Sequence, residues 1–192
     1  MAANKGCIFT WAFRIALAAL ALVIPVGAHA ANSCPWLTEA TVGGLLGGTS
    51  VGTYTAGPLV ATSTSATINA TAPPTVRMDQ PGTCVFTDKE GPGVRELTIT
   101  MEVSSDAHTR LAGMMQACGA SSQLLQAIGN EAAVCAMDAH KKSVTERVVG
   151  RVRNQIFTIA IHTTLTDDPV LNSSSLMTKI YTASEQVAGN LF

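Results

Sequence analysis

Charge is scarce in this chain. Asp, Glu, Lys and Arg together make up 13% of its 192 residues, against about 25% in ordinary globular proteins. That excludes a disordered acidic or basic tail and a surface that tracks nucleic-acid phosphates. Cys-x-x-Cys is absent, which speaks against a thiol-redox enzyme and against a zinc ribbon. Gly-x-Ser-x-Gly and His-Glu-x-x-His are absent as well, so neither the nucleophile elbow of a hydrolase nor the helix of a metalloprotease is expected. The pairs Gly43-Gly44 and Gly47-Gly48 lack the context of a phosphate loop or a dinucleotide fingerprint. After residue 30 no apolar run approaches the roughly 20 residues that span a bilayer, and no internal repeat is visible.

Apolar residues are plentiful at 47%. The first of them belong to a leader. Lys5 and Arg14 form a positive start, Ile15 to Val26 is an uncharged apolar stretch of about twelve residues, and Ala28-His29-Ala30 is a small-x-small cleavage site. Residues 1–30 thus read as a cleaved signal peptide, and the protein as periplasmic or secreted. Ala31-Asn32-Ser33 lacks the apolar residue of a lipidation motif before Cys34. The leader removes two of the 12 basic residues, leaving 10 against 13 acidic ones, a net of −3. Residues 31–192 suffice for a single domain with its own core.

Of five cysteines, Cys7 leaves with the leader. Four remain in an oxidising compartment, which suggests two disulfides with three pairings open. The expected pairing is Cys34–Cys84, pinning an N-terminal helix to the sheet, and Cys118–Cys135, closing a short loop. Both are read as inert staples.

Thr38 and Glu39 suit a helix start, Val42, Leu45 and Leu46 make its apolar stripe, and Gly47 ends it. Residues 48–82, rich in Gly, Thr, Ser, Ala and Pro, read as a flexible excursion. Cys84 to Thr87 reads as a strand. Next comes the clearest alternation in the chain: Leu97, Ile99, Met101 and Val103 point one way, and Glu96, Thr98, Thr100 and Glu102 the other. Asp106 caps a helix with Leu111, Met114, Met115 and Cys118 on one stripe, and Ser121 to Ala127 adds at most a short turn. Strands follow at 132–139, 144–153 and 156–163, the last with Phe157, Ile159 and Ile161 inward and Thr158, Ala160 and His162 outward. Asp168 and Pro169, or Asn172 to Ser175, open a final helix with Leu176, Ile180, Ala183, Val187 and Leu191 on one side. The expected order is α-β-β-α-β-β-β-α. The fold class is α+β: a twisted antiparallel sheet of about five strands with helices packed on one face.

Four local motifs follow one another along the chain: Cys34-Pro35-Trp36-Leu37-Thr38 with Leu45-Leu46-Gly47; Thr83-Cys84-Val85-Phe86; Ile128-Gly129-Asn130-Glu131-Ala132; and Val187-Ala188-Gly189-Asn190-Leu191-Phe192. Together they resemble small secreted or lipid-anchored bacterial proteins of unknown function, similar to PsbP-like α+β folds. The resemblance implies an envelope or secreted location and two cysteines linking helix to sheet. It implies no catalytic residues.

Few residues suggest chemistry. Asp138, His140 and His162 are metal-ligand types that adjacent strands could bring together. Polar residues on a wet strand face explain them equally well, and neither metal nor cofactor is expected. Asp167-Asp168 suits a helix start. Arg147, Arg151 and Arg153 give one strand a basic bias. If they share a face they can receive an anionic ligand or a protein partner. The sequence therefore reads as an exported, non-catalytic binding or interaction domain of the bacterial envelope. Its partner is an envelope protein or a small ligand, not nucleic acid, and its mature form does not span the membrane. Two alternatives stand beside it. One is a small-ligand carrier with a cavity lined by Met101, Met114, Met115 and Phe157 between the sheet and the last helix. The other is an envelope hydrolase with an unrecognised site.

Overall fold

A computed structural model describes residues 33–58, 78–88, 90–91, 93–119, 122–136 and 144–192. The leader, residues 59–77 of the Gly/Thr/Ser/Pro-rich excursion, and Asp138 and His140 lie outside the described residues. The elements are α1 (Glu39–Leu46), β1 (Ser50–Ala56), β2 (Gly82–Asp88), β3 (Arg95–Val103), α2 (Ala107–Ala117), β4 (Ser122–Leu125), β5 (Glu131–Ala136), β6 (Val144–Val152), β7 (Gln155–Thr163) and α3 (Ser173–Leu191).

The α+β class holds, but the sheet has seven strands rather than about five, in the order β1-β2-β3-β7-β6-β5-β4. Every neighbouring pair is antiparallel. Two meanders, β1–β3 and β4–β7, join along β3 and β7. The two extra strands are the outer ones. Strand β1 comes from the start of the excursion. It packs through Gly52, where a Cβ would stand 2.5 Å from the Phe86 ring. Its neighbour Tyr54 stacks edge-on against Trp36, ring centroids 5.7 Å apart. Strand β4 is four residues long and its exposed Leu124 lies on the outer rim.

Helices pack on both faces of the sheet, not on one. Helices α1 and α3 share a core with Cys84, Phe86, Leu97, Ile99, Met101, Phe157, Ile159 and Ile161. Helix α2 lies on the opposite face, where Ala107 and Leu111 meet Ala133, Cys135, Val149 and Ile156. Residues 132–135 of β5 and 148–150 of β6 are therefore buried on both sides, where consecutive side chains are small or apolar.

Caps set the helix ends. Thr38 accepts from the Thr41 amide, and Gly47 closes α1 at φ 85°, a conformation that favours glycine. Asp106 caps α2. Asn172, not Asp168, caps α3 by accepting from the Ser174 and Ser175 amides. All five residues of the expected α3 stripe are buried. Both expected disulfides form, with Cα–Cα distances of 5.7 Å for Cys34–Cys84 and 5.1 Å for Cys118–Cys135.

Asp168 has another task. Arg95, 5% exposed, donates from Nε to Asp168 Oδ2 at 2.8 Å and from Nη1 to Asp88 Oδ2 at 3.1 Å and to the Leu46 carbonyl at 3.2 Å. Thr163 Oγ1 donates to the same Asp168 oxygen, and the Val170 and Leu171 amides donate to Oδ1. Burial alone would raise the Asp168 carboxyl. The hydrogen bonds from Arg95, Leu171, Thr163 and Val170 outweigh it and hold the group well below the usual carboxylate range. This buried cluster ties together α1, β2, β3 and the loop before α3.

Candidate functional site

Side chains directly opposite each other in an antiparallel sheet share a face. On the face away from α1 and α3 the register generates three rows. The first runs Thr53, Val85, Thr98, Ala160, Arg147 and Cys135. The second runs Val51, Thr87, Glu96, His162 and Thr145. The third runs Thr55, Thr83, Thr100, Thr158, Val149 and Ala133. Helix α2 covers the last members of the first and third rows. Among the described residues no helix covers the β1–β2–β3 half.

That half is a grid of threonines. Neighbouring strands set them about 4.8 Å apart, and alternate residues along a strand about 6.8 Å apart. Thr83 and Thr100 hydroxyls lie 3.5 Å apart, and the Thr98 hydroxyl donates to Glu96 Oε1 at 3.1 Å. The Thr53 hydroxyl donates to the Val85 carbonyl at 3.4 Å, and the rows as a whole carry many hydroxyl groups and few charges. The sequence carried a sign of it in Thr53-Tyr54-Thr55 and Thr98-Ile99-Thr100. In the absence of a known strand β1, the first of these had no place in a sheet.

At the end of this half the sheet borders a cleft of about 370 Å³. Gly57, Pro58, Pro81, Thr83, Thr100 and Met101 are among the residues that line it.

The arginines expected to share a face divide. Arg147 and Arg151 lie on the threonine face of β6, but Arg153 sits in the β6–β7 turn with φ 56°. The Arg151 guanidinium bonds Glu131 Oε1 at 2.6 Å and the Arg153 carbonyl at 3.1 Å. Glu131 also meets His108 at 2.9 Å. The hydrogen bond from Arg151 is the main reason that its carboxyl lies below the ordinary range. Arg95 and Arg110 likewise have carboxylate partners. Arg147 has none among the described residues, and its Nε is buried without a hydrogen bond.

His162 shares a 2.8 Å hydrogen bond with the Thr145 hydroxyl. The other two residues of the metal set lie outside the described residues, and no metal-ligating cluster occurs among the described ones. Among the described residues, neither His108 nor His162 bonds a serine. The four residues expected to line one cavity do not meet. Met101 and Phe157 are buried under α1 and α3, while Met114 and Met115 flank the α2 cluster on the other side of the sheet.

Among the described residues, no helix is long and apolar enough to cross a membrane. Set against known proteins, the chain matches no family model, no curated protein and no solved structure.

Proposed function

We propose that the protein is an exported, non-catalytic binding domain whose working surface is the threonine-bearing face of the β1–β2–β3 half of the sheet. One observation carries this reading. A large helix-covered core holds one side of the sheet, while half of the other side carries threonine rows that no helix covers among the described residues. Such a surface suits a hydroxyl-bearing or amide-bearing partner, held by many neutral hydrogen bonds of about 1 kcal/mol each. Export is supported by the leader motif and by two disulfides, which persist in oxidising compartments.

A photo-crosslinking residue at Thr98 or Thr158, in protein exported by its own cell, tests the reading. Thr178 and Glu185 on the exposed side of α3 serve as controls. The expected result is one shared crosslinked species from positions 98 and 158 and none from 178 and 185. Crosslinks from the α3 positions only, or from no position, would refute it.

The cleft beside Pro58 and Pro81 supports a second reading, a small-ligand carrier. A bulky Val103→Trp there would abolish retention of a co-purifying small molecule while leaving the crosslinks unchanged.

A further inference from the structure

The two disulfides sit in different chemical surroundings. Cys84 lies between Tyr54 and Ile99 in the register, inside the large core. A thiolate released there would face apolar side chains, which disfavour it. Cys135 is also buried among apolar side chains, those of the α2 cluster on the opposite face, but in the register it lies between Ser122 and Arg147. Ser122 belongs to the exposed rim strand and brings a hydroxyl donor. Arg147 brings a guanidinium that has no carboxylate partner among the described residues and carries a buried, unbonded Nε. An unpaired buried donor is unfavourable, and a neighbouring anion would relieve it.

The partner cysteine adds a second asymmetry. Cys118 is the C-terminal cap of α2, where the helix dipole disfavours negative charge. It is partly exposed, whereas Cys135 is fully buried. An incoming thiolate can therefore reach Cys118, and the sulfur best suited to leave is Cys135. The helix is also lightly held. Of its eleven residues only Ala107 and Leu111 are buried.

We propose that Cys118–Cys135 is an exchangeable disulfide, a site of reduction by an external dithiol, whereas Cys34–Cys84 is a fixed staple. A thiolate of the dithiol attacks Cys118 Sγ. The Cys118–Cys135 bond breaks, and its electron pair leaves on Cys135 as a thiolate beside Arg147 and Ser122. The dithiol's second thiolate then attacks its own sulfur in the mixed disulfide. That step forms the dithiol's internal disulfide and expels Cys118, which takes up a proton. The dithiol is oxidised by two electrons and the protein disulfide is reduced by two. Reduction uncouples the end of α2 from β5 and loosens the layer that borders the threonine rows. The protein is the substrate of this exchange and not its catalyst, in keeping with its lack of Cys-x-x-Cys.

The test is timed reduction of the oxidised protein with dithiothreitol, with alkylation and peptide mass mapping of each pair. The expected result is that Cys118–Cys135 opens at least about tenfold faster than Cys34–Cys84. Arg147→Gln should slow the first reaction about tenfold and leave the second unchanged, and Arg147→Lys should restore most of the rate. Equal rates, earlier opening of Cys34–Cys84, or an Arg147→Gln rate equal to that of the parent would overturn the proposal. If Arg147→Gln does not fold, the pH dependence of alkylation in the reduced parent decides. Cys135 should ionise below the ordinary thiol value of about 8.5. Ionisation at or above that value would overturn the proposal.

Discussion

The two faces of the sheet are built on different principles. Under α1 and α3, buried apolar side chains from five strands and two helices interlock, and α3 alone buries seven residues. Under α2, the described cluster consists of Ala107, Leu111, Ala133, Cys135, Val149 and Ile156. Beyond α2 the described face carries threonine-rich rows that also hold Val51, Val85, Glu96 and His162. The difference teaches where stability and availability reside. Apolar area removed from water contributes about 25 cal/mol per Å², so the first face carries the fold. The second face contributes less to the core, as the proposed binding role requires.

The sharpest way to break this contrast is to attack the ionic cluster behind the first face. Asp168→Ala leaves the buried Arg95 short of its best partner. It should lower stability by about 3–5 kcal/mol, measured by urea unfolding. A loss below about 1 kcal/mol would mean that the cluster does not lock the helix-covered face. Because the Asp168 carboxyl is held low, the folded state gains from its ionised form. The unfolded chain binds the proton first as pH falls. This share of stability is therefore complete above about pH 4 and is lost below it, and the mutant should lack that acid-dependent loss.

Next in size is a matched pair of truncations. Ile180→Ala under α3 and Leu111→Ala under α2 each remove a fully buried aliphatic side chain, worth about 2–5 kcal/mol at a well-packed site. The first should lower the global unfolding free energy by that amount. The second should fall at or below the lower end, with faster amide exchange in α2 and unchanged exchange in α3. Equal global losses would erase the distinction between the faces.

A smaller effect concerns Glu146, which by register lies on the helix-covered face opposite Ile161. Its Oε2 is buried without a partner, and burial raises its carboxyl above the ordinary range. The sign is opposite to that of Asp168. The raised group favours the folded state while protonated, and that benefit fades as pH rises through its folded value. Glu146→Gln should therefore gain relative to the parent as pH rises above the ordinary carboxylate range, as followed by thermal melting. The smallest effect belongs to the open face. Thr98→Ala should change stability by no more than about 0.5 kcal/mol while weakening crosslinking from position 158.

Much of this architecture was legible in the chain. Strand β3 announced itself by strict alternation, α3 by its five-residue stripe, and the disulfides by an even cysteine count in an exported context. The outer strands were hidden for a physical reason. In β1 the inward positions are Ser50, Gly52 and Tyr54, and Gly52 is small because the Phe86 ring occupies its place. A strand that packs by omission shows no apolar alternation. Strand β4 is too short and too exposed for a pattern to register. The side taken by α2 was not readable because the stripe of a helix tells that it packs, not on which face of a sheet. The run Ala132-Ala133-Val134-Cys135 did carry a clue, since both of its faces are apolar and both are buried. The threonine rows needed the register before they could be seen as one surface. Arg147 was visible as a charge, but its lack of a partner was not.

Residue-resolved hydrogen exchange of the oxidised protein tests the central claim most directly, that one face holds the fold and the other is free to act. The account predicts that amides of β3, β7 and α3 exchange only through global unfolding, while those of α2 exchange through a separate local opening of lower free energy. If α2 and α3 share a single opening free energy, the two faces are equally part of one cooperative core, and the division of labour proposed for them is wrong.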